Sequence, residues 1–290
     1  MSLNAIFVNG PFLKGFSRES RSPAVTKSGT LYYPGWLAYA CGYAEMNGYT
    51  CSLLDSIADD ISFQDSVKKV LDCNPQLVVI GTSTPSIDAD INFARAIKEG
   101  NSSIIVSLVG THASSMAKEI IREFDFIDFI ARREYDETIK QILDAITTKK
   151  SWYNTLGITF KNDSREVVTN SDMPYIHDLD KLPFASAVYK KHLKIENYYY
   201  GHVRYPMVSI FTSRGCNARC NYCLYPQTMF GNFRSRSPKN IADEFKWIKE
   251  NLPNVKEVLI DDDTFTMNKA HAMATAQELI KINNKLKWTC

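Results

Sequence analysis

Five short apolar runs recur through the first half of the 290-residue chain: AIFVN (5–9), CSLLD (51–55), LVVIGTS (77–83), IIVSLVG (104–110) and FIDFIA (126–131). Each reads as a strand buried on both faces. Helical spacing returns between them. Trp36, Leu37, Tyr39, Ala40, Tyr43 and Ala44 follow it over 35–47, as do residues 86–99 and 113–123. Strands that recur with helices between them make a parallel sheet covered on both faces. The expectation is a doubly wound, Rossmann-like α/β domain over residues 1–147, whose ligand lies at the carboxyl ends of the strands.

The rest of the chain divides in two. Residues 148–203 read as a linker, with a hairpin in GITFKNDSREVVTN turning at Asn162, Asp163 and Ser164. HDLDKLPFASAVY reads as loop, and Tyr198, Tyr199 and Tyr200 as packing between neighbours. From residue 204 the strand–helix rhythm resumes. MVSIFTS is a strand, and SPKNIADEFKWIKENL is a helix with Ser237 as N-cap, Pro238 in its first turn and Ile241, Phe245 and Ile248 on one face. KEVLIDDDTFT is a strand ending in acids, KAHAMATAQELIKIN a helix, and KLKWTC the start of a third strand. One connection is unusually long, the stretch from Gly10 to Tyr33 that leaves the carboxyl end of the first strand. Connections of that length are usually functional or disordered.

Composition excludes several classes. Hydrophobic residues make up 44% and charged residues 23%, with a net charge of +2, which draws the chain to neither nucleic acid nor a membrane surface. No run approaches the roughly 18 apolar residues of a membrane span, and MSLNAIFVNG lacks the features of a signal peptide. Seven cysteines, four of them scattered singly, suit a reducing cytoplasm rather than a disulfide framework. Those four, Cys41, Cys51, Cys73 and Cys290, read as small buried hydrophobes.

The other three are Cys216, Cys220 and Cys223, within eight positions of one loop directly after a strand. Three thiolates so spaced can converge on one metal centre. A structural zinc would need a fourth ligand, and the nearby candidate, His202, falls at the opposite end of the strand. An iron–sulfur cubane with three cysteines leaves one iron open for a substrate or cofactor.

CNARCNYC resembles the radical S-adenosylmethionine (SAM) signature, with Tyr222 as the aromatic residue before the last cysteine. The resemblance implies a partial (β/α)6 barrel, a 4Fe-4S cluster on Cys216, Cys220 and Cys223, and SAM bound at the free iron. It also implies that Tyr222 and at least one of Asp261, Asp262 and Asp263 contact SAM. The first domain is similar to the cobalamin-binding domain of the cobalamin-dependent branch, on NGPF, YYPGWLAYACGYAEMNGY, GTSTPS and LVGTHASSMAKEI, and LDKLPFASA is similar to the segment joining the two domains. It implies cobalamin along Ser83, Thr84, Gly110, Thr111 and His112, where small residues allow close approach and hydroxyls can bond a buried tail.

Two departures stand out. No histidine follows the first strand, so the DxHxxG motif of methionine-synthase-like domains is absent, and His112 is expected to line the tail pocket rather than ligate cobalt. IARREYDET stands where many relatives carry a glycine–glutamate run, which leaves Arg133 and Glu134 without an assigned role. CLYPQTMFGNFRSRSP resembles the hopanoid-biosynthesis-associated members, its plain alternative being a loop with solvated arginines.

The whole then reads as a cytoplasmic, cobalamin-dependent radical SAM enzyme that methylates or rearranges an unactivated carbon. Its substrate would be a small or lipid-like molecule and its electron donor a flavodoxin or ferredoxin. The competing reading is a non-catalytic cobalamin-binding or sensor module with a structural metal. Only 67 residues follow Cys223, room for about two βα units, so residues 204–290 are expected to be the first part of a longer barrel.

Overall fold

A computed structural model describes residues 4–20, 22–218, 220–224 and 232–290. Strand β1 (Ala5–Asn9) leads into the long connection, which is ordered over the described residues and contains a short hairpin, β2 (Phe16–Ser17) with β3 (Ala24–Val25). Helix α1 (Gly35–Met46), β4 (Cys51–Asp55), α2 (Phe63–Asp72), β5 (Leu77–Gly81), α3 (Ile87–Gly100) and β6 (Ile105–Val109) follow. Next come α4 (Thr111–Ser115), α5 (Ala117–Glu123), β7 (Phe129–Ala131) and α6 (Asp136–Thr147). The parallel strands stand in the order β4-β1-β5-β6-β7, the flavodoxin-like doubly wound order, with its switch point between β1 and β5.

The strands are apolar throughout because both faces are covered. Ala5, Phe7, Leu77 and Val79 join the core on the α1 and α6 side, whereas Ile6, Val8, Val78 and Ile80 pack with Phe93, Ala94 and Ile97 of α3. Burying each such side chain contributes about 1.5–3 kcal/mol. Helix α4 stops at Met116 and restarts as α5, so the single helix expected over 113–123 is broken.

The hairpin β8 (Ile158–Lys161) and β9 (Val167–Thr169) adds to β7 in antiparallel sense and extends this sheet to seven strands. Within HDLDKLPFASAVYKKH the structure corrects the loop reading: Ala185–His192 is a helix, α7, with Ala185, Val188 and Tyr189 buried. It lies hard against α1, because Gly42 leaves the space. A Cβ there would come within 2.5 Å of Val188 and 2.8 Å of Pro183. Tyr33 completes this seam, stacked between Tyr189 (4.2 Å) and Tyr198 (3.9 Å) and donating a hydrogen bond to the Met207 carbonyl at 2.8 Å.

The second unit begins with β10 (Met207–Ile210), followed by a two-stranded ribbon of β11 (Ser213–Arg214) and β12 (Arg234–Ser235). Then come α8 (Pro238–Asn251), β13 (Glu257–Ile260), α9 (Lys269–Lys281) and β14 (Lys287–Thr289). Its sheet is parallel in the order β10-β13-β14. Ser237 caps α8 by accepting from Asn240 N–H, and Ile241, Phe245 and Ile248 are fully buried. The core on the α1 side runs without a break into this unit through Met207, Val208, Ile210, Phe245 and Val258. No helix among the described residues is long and apolar enough to cross a membrane. Of the four single cysteines, Cys41 and Cys51 are buried, but Cys73 and Cys290 are exposed, contrary to expectation: they sit at the end of an amphipathic helix and at the last residue, where nothing packs over them.

Candidate cofactor sites at the domain seam

The cysteine loop is closed at its base before any ligand is considered. The β11–β12 ribbon pairs Ser213 with Ser235 and Arg214 with Arg234, so residues 215–233 leave and return at one point. Gly215 has φ +87°, and a Cβ there would overlap the Asn232 carbonyl, so only glycine lets the two ends pass this closely. Beyond it, Cys223 N–H donates to the Cys220 carbonyl at 3.0 Å, closing a turn between the two residues. All three cysteines are free and partly exposed.

Asp262, at the end of β13, anchors the loop from the neighbouring strand. Its Oδ1 accepts from Thr212 N–H (2.6 Å) and Ser213 N–H (3.1 Å), and its Oδ2 from Thr212 Oγ1 (2.5 Å) and Ser213 Oγ (2.7 Å). Burial raises its pKa against these four bonds, which favour the carboxylate. Asp262 is therefore committed to holding the loop, whereas Asp261 is half-buried and Asp263 exposed. Tyr222 is 88% exposed.

A second anchor comes from the first domain. Arg214 forms a fork with Asp136, Nη1 to Oδ2 at 2.7 Å and Nη2 to Oδ1 at 3.2 Å. Arg214 and Arg234 both donate to Glu134, the latter through Nη1 at 3.1 Å and also through Nη2. The Arg214 guanidinium lies over the rings of Trp36 and Tyr39, 4.6 and 5.0 Å from their centroids. Glu134 and Asp136 thus grip both strands of the ribbon, two residues before Cys216 and again after the loop returns. This gives Glu134 its role. Arg133, just before it, has φ +61°, the left-handed region that a glycine enters freely, and its side chain pairs with Asp172 at 2.9 Å. The arginines of FRSRSP are accordingly not solvated: Arg234 and Arg236 are buried, and Arg236 is paired with Glu244 at 2.5 Å. Residues 225–231 of the stretch that resembles the hopanoid-associated members lie outside the described residues.

On the first domain, the loops after β5 and β6 adjoin. Thr82 N–H and Oγ1 both donate to the Val109 carbonyl, at 2.9 and 2.7 Å. Gly110 has φ +109°, and a Cβ would meet the Thr82 carbonyl at 2.6 Å. Thr84, Gly110, Thr111 and His112 come together at this edge, with His112 Nδ1 3.1 Å from Thr84 Oγ1. Burial lowers the His112 pKa, which favours the neutral ring. Ser83 lies beneath them, its hydroxyl 2.7 Å from that of Ser86.

That bond belongs to a network sequence reasoning missed. Arg18, from the long connection, donates to Asn9 Oδ1 and the Gly10 carbonyl (both 2.7 Å), to Ser86 (3.1 Å) and to Asp90. Asp55 accepts from Asn9 at 2.8 Å and from Tyr198 at 2.9 Å. A separate cleft of about 480 Å³ opens beside the ends of β1 and β4, between Phe12, Ser56 and Phe63, away from the Thr84–His112 edge.

Glu19, next to Arg18, feels both halves of the chain. Burial pushes its pKa from 4.5 up to about 8, with Asp261 and Asp55 adding to the rise and Arg18 opposing it. Asp55 ends β4 and Asp261 follows β13, so the carboxyl ends of the two sheets face one seam. The carboxyl ionises late in the native state, so native stability is expected to fall as pH rises from 4.5 towards 8. Glu19→Gln should remove that decline, and denaturant midpoints measured across this interval check it. Equal pH slopes in the two proteins would show that Glu19 ionises normally.

Could these residues hold the implied groups? Cys216, Cys220 and Cys223 are all free thiols on one loop, partly exposed to an incoming group. A 4Fe-4S cluster would give each thiolate its own iron and leave the fourth open. The donor set fits a cluster better than one ion.

The comparisons agree. Residues 21–143 match the B12 binding domain family, and residues 210–290 match the Radical SAM superfamily. The chain thus carries a B12-binding domain followed by a Radical SAM domain. It is 26% identical over 261 residues to an uncharacterized methyltransferase, PH0819, of Pyrococcus horikoshii, covering 90% of this chain and 55% of the relative. It is also 26% identical to the anaerobic magnesium-protoporphyrin IX monomethyl ester cyclase of Cereibacter sphaeroides, covering 88% of this chain and 42% of that one. The chain spans about half the length of these curated relatives. Two solved radical SAM proteins share the fold. TsrM of Kitasatospora setae, a methyltransferase solved with cobalamin and a [4Fe-4S] cluster, gives a TM-score of 0.71 at 14% identity over 98% of this chain and 52% of that chain. OxsB, solved with aqua-cobalamin and SAM, gives 0.75 at 13% identity over 99% of this chain and 38% of that chain.

Proposed function

We propose that this chain is the cofactor-bearing part of a cobalamin-dependent radical SAM enzyme that methylates or rearranges an unactivated carbon of a small molecule. The observation that carries the reading is the clamped loop: three free thiols fastened through Arg214 and Arg234 to the carboxyl end of the B12-binding sheet. When bound, the cluster supplies the electron that cleaves SAM to methionine and a 5′-deoxyadenosyl radical, and cobalamin supplies methyl transfer or support for rearrangement.

The protein's own part is binding and orientation. Cys216, Cys220 and Cys223 would hold the cluster and leave one iron open. Tyr222 and the acids Asp261, Asp262 and Asp263 are the candidates to receive SAM, Asp262 also accepting from Thr212 and Ser213. Thr84, Gly110, Thr111 and His112 would line the cobalamin tail, with Ser83 supporting them from below through Ser86. His112 would line that pocket rather than ligate cobalt, with its Nδ1 held 3.1 Å from Thr84 Oγ1. A flavodoxin or ferredoxin would deliver the electron, in a reducing cytoplasm.

Anaerobic reconstitution with iron, sulfide and cobalamin tests the reading. Reduced protein should bind cobalamin and convert SAM to 5′-deoxyadenosine. Cobalamin binding with no SAM cleavage in a protein extended to the relatives' full length would favour a sensor instead.

A further inference from the structure

A second group of metal-ligating side chains lies at the far end of α1 from the cofactor seam. Trp36, near the start of that helix, packs on Phe211 and Arg214. One and two turns further on, Cys41 and Glu45 share a face, as the i,i+4 spacing requires. His192, the last residue of α7, closes on them. Its Nε2 is 4.0 Å from Cys41 Sγ and 3.0 Å from Glu45 Oε1, and the three donor atoms all lie within 4.8 Å of one another. Gly42, beside Cys41, is what lets α7 approach so closely.

We propose that Cys41, Glu45 and His192 form a binding site for one zinc-like divalent cation, which fastens the linker helix to the B12-binding domain. The donor set is the argument. One thiolate, one imidazole and one carboxylate are the three ligand types zinc takes, and borderline cations prefer that mixture over the all-oxygen sets of magnesium or calcium. Burial favours the neutral Cys41 thiol, so the metal would displace its proton, and the resulting thiolate and the Glu45 carboxylate would supply two negative charges to neutralise a dication. The site is sheltered, with Cys41 fully buried and the His192 and Glu45 side chains 8% and 16% exposed. Lys191 now holds the same Glu45 oxygen at 2.6 Å, but its side chain is 60% exposed and can turn into solvent. The fourth position is left for water. A plain hydrogen-bonded contact of Glu45 with Lys191 and His192 would not need the thiol beside the same imidazole nitrogen.

The test removes the competing thiolate site first. In the chain carrying Cys216→Ser, Cys220→Ser and Cys223→Ser, titration with Zn²⁺ should saturate at one equivalent, and Co²⁺ should give a thiolate-to-metal charge-transfer band. Cys41→Ser should abolish the band. His192→Ala should weaken Zn²⁺ binding by more than the roughly 10- to 100-fold that losing an outer partner of a ligand costs. Lys191→Ala supplies a check that does not disturb the buried residues: it should tighten Zn²⁺ binding, because it frees Glu45. No saturable binding, a band that survives Cys41→Ser, or weaker binding in Lys191→Ala would each overturn the proposal and leave an ion pair only.

Discussion

Glu134→Ala should lower the stability of the chain by about 3–5 kcal/mol, the range for removing one partner from a buried ion pair. The reason is that two guanidinium groups share this carboxylate and neither can reach water, the Arg214 and Arg234 side chains being 2% and 7% exposed. Arg214 keeps its fork with Asp136, so the loss falls mainly on Arg234, which retains the Ile176 carbonyl at 2.6 Å. The ribbon should then open on its β12 side and release the returning end of the cysteine loop. The expected result is a lower urea midpoint together with less iron retained after anaerobic reconstitution. Glu134→Gln keeps an acceptor but not the charge and should fall between. A Glu134→Ala protein with the wild-type midpoint and iron content would show that the clamp is dispensable.

The combined replacement Cys216→Ala, Cys220→Ala and Cys223→Ala should have the opposite profile. Iron and sulfide incorporation, the visible absorbance of the cluster and 5′-deoxyadenosine formation should all be lost. Stability should change by only about 0.5 kcal/mol per site, as for substitutions away from packed features. The loop is fixed by Asp262, Glu134, Asp136 and Gly215, and the cysteines are partly exposed. Cobalamin binding should persist. Iron and sulfide at wild-type stoichiometry in the triple variant would refute the assignment of these thiols.

Local signals were legible where one residue type has one physical use. Ser237 followed by Pro238 marked a helix start, and the run LVVIG marked a strand covered on both faces. Helix α7 was not legible. Its sequence, ASAVYKKH, is short, follows Pro183, and buries only Ala185, Ser186, Val188 and Tyr189, so it becomes a helix by packing on Gly42 rather than by propensity. Arg234 and Arg236 looked like surface charge for a related reason: burial of an arginine depends on a carboxylate being there to meet it. Glu134 lies 100 residues before Arg234, and no local pattern connects them. Arg18 and Glu19 stood in a long connection of the kind that is either functional or disordered, and the closure of β1, β4 and α3 around them gives Arg18 its partners.

By itself, then, the order of residues determined a parallel, doubly wound sheet, a second strand–helix series and a loop bearing three thiols. These follow from period, spacing and donor chemistry, which act over a few residues. The tertiary structure decided what the loop is fastened to, which of three adjacent aspartates is consumed in fastening it, and that the carboxyl ends of both sheets face one seam. Those are long-range electrostatic matches between buried charges, and a buried charge is tolerated only where the fold has already brought its partner within hydrogen-bonding distance.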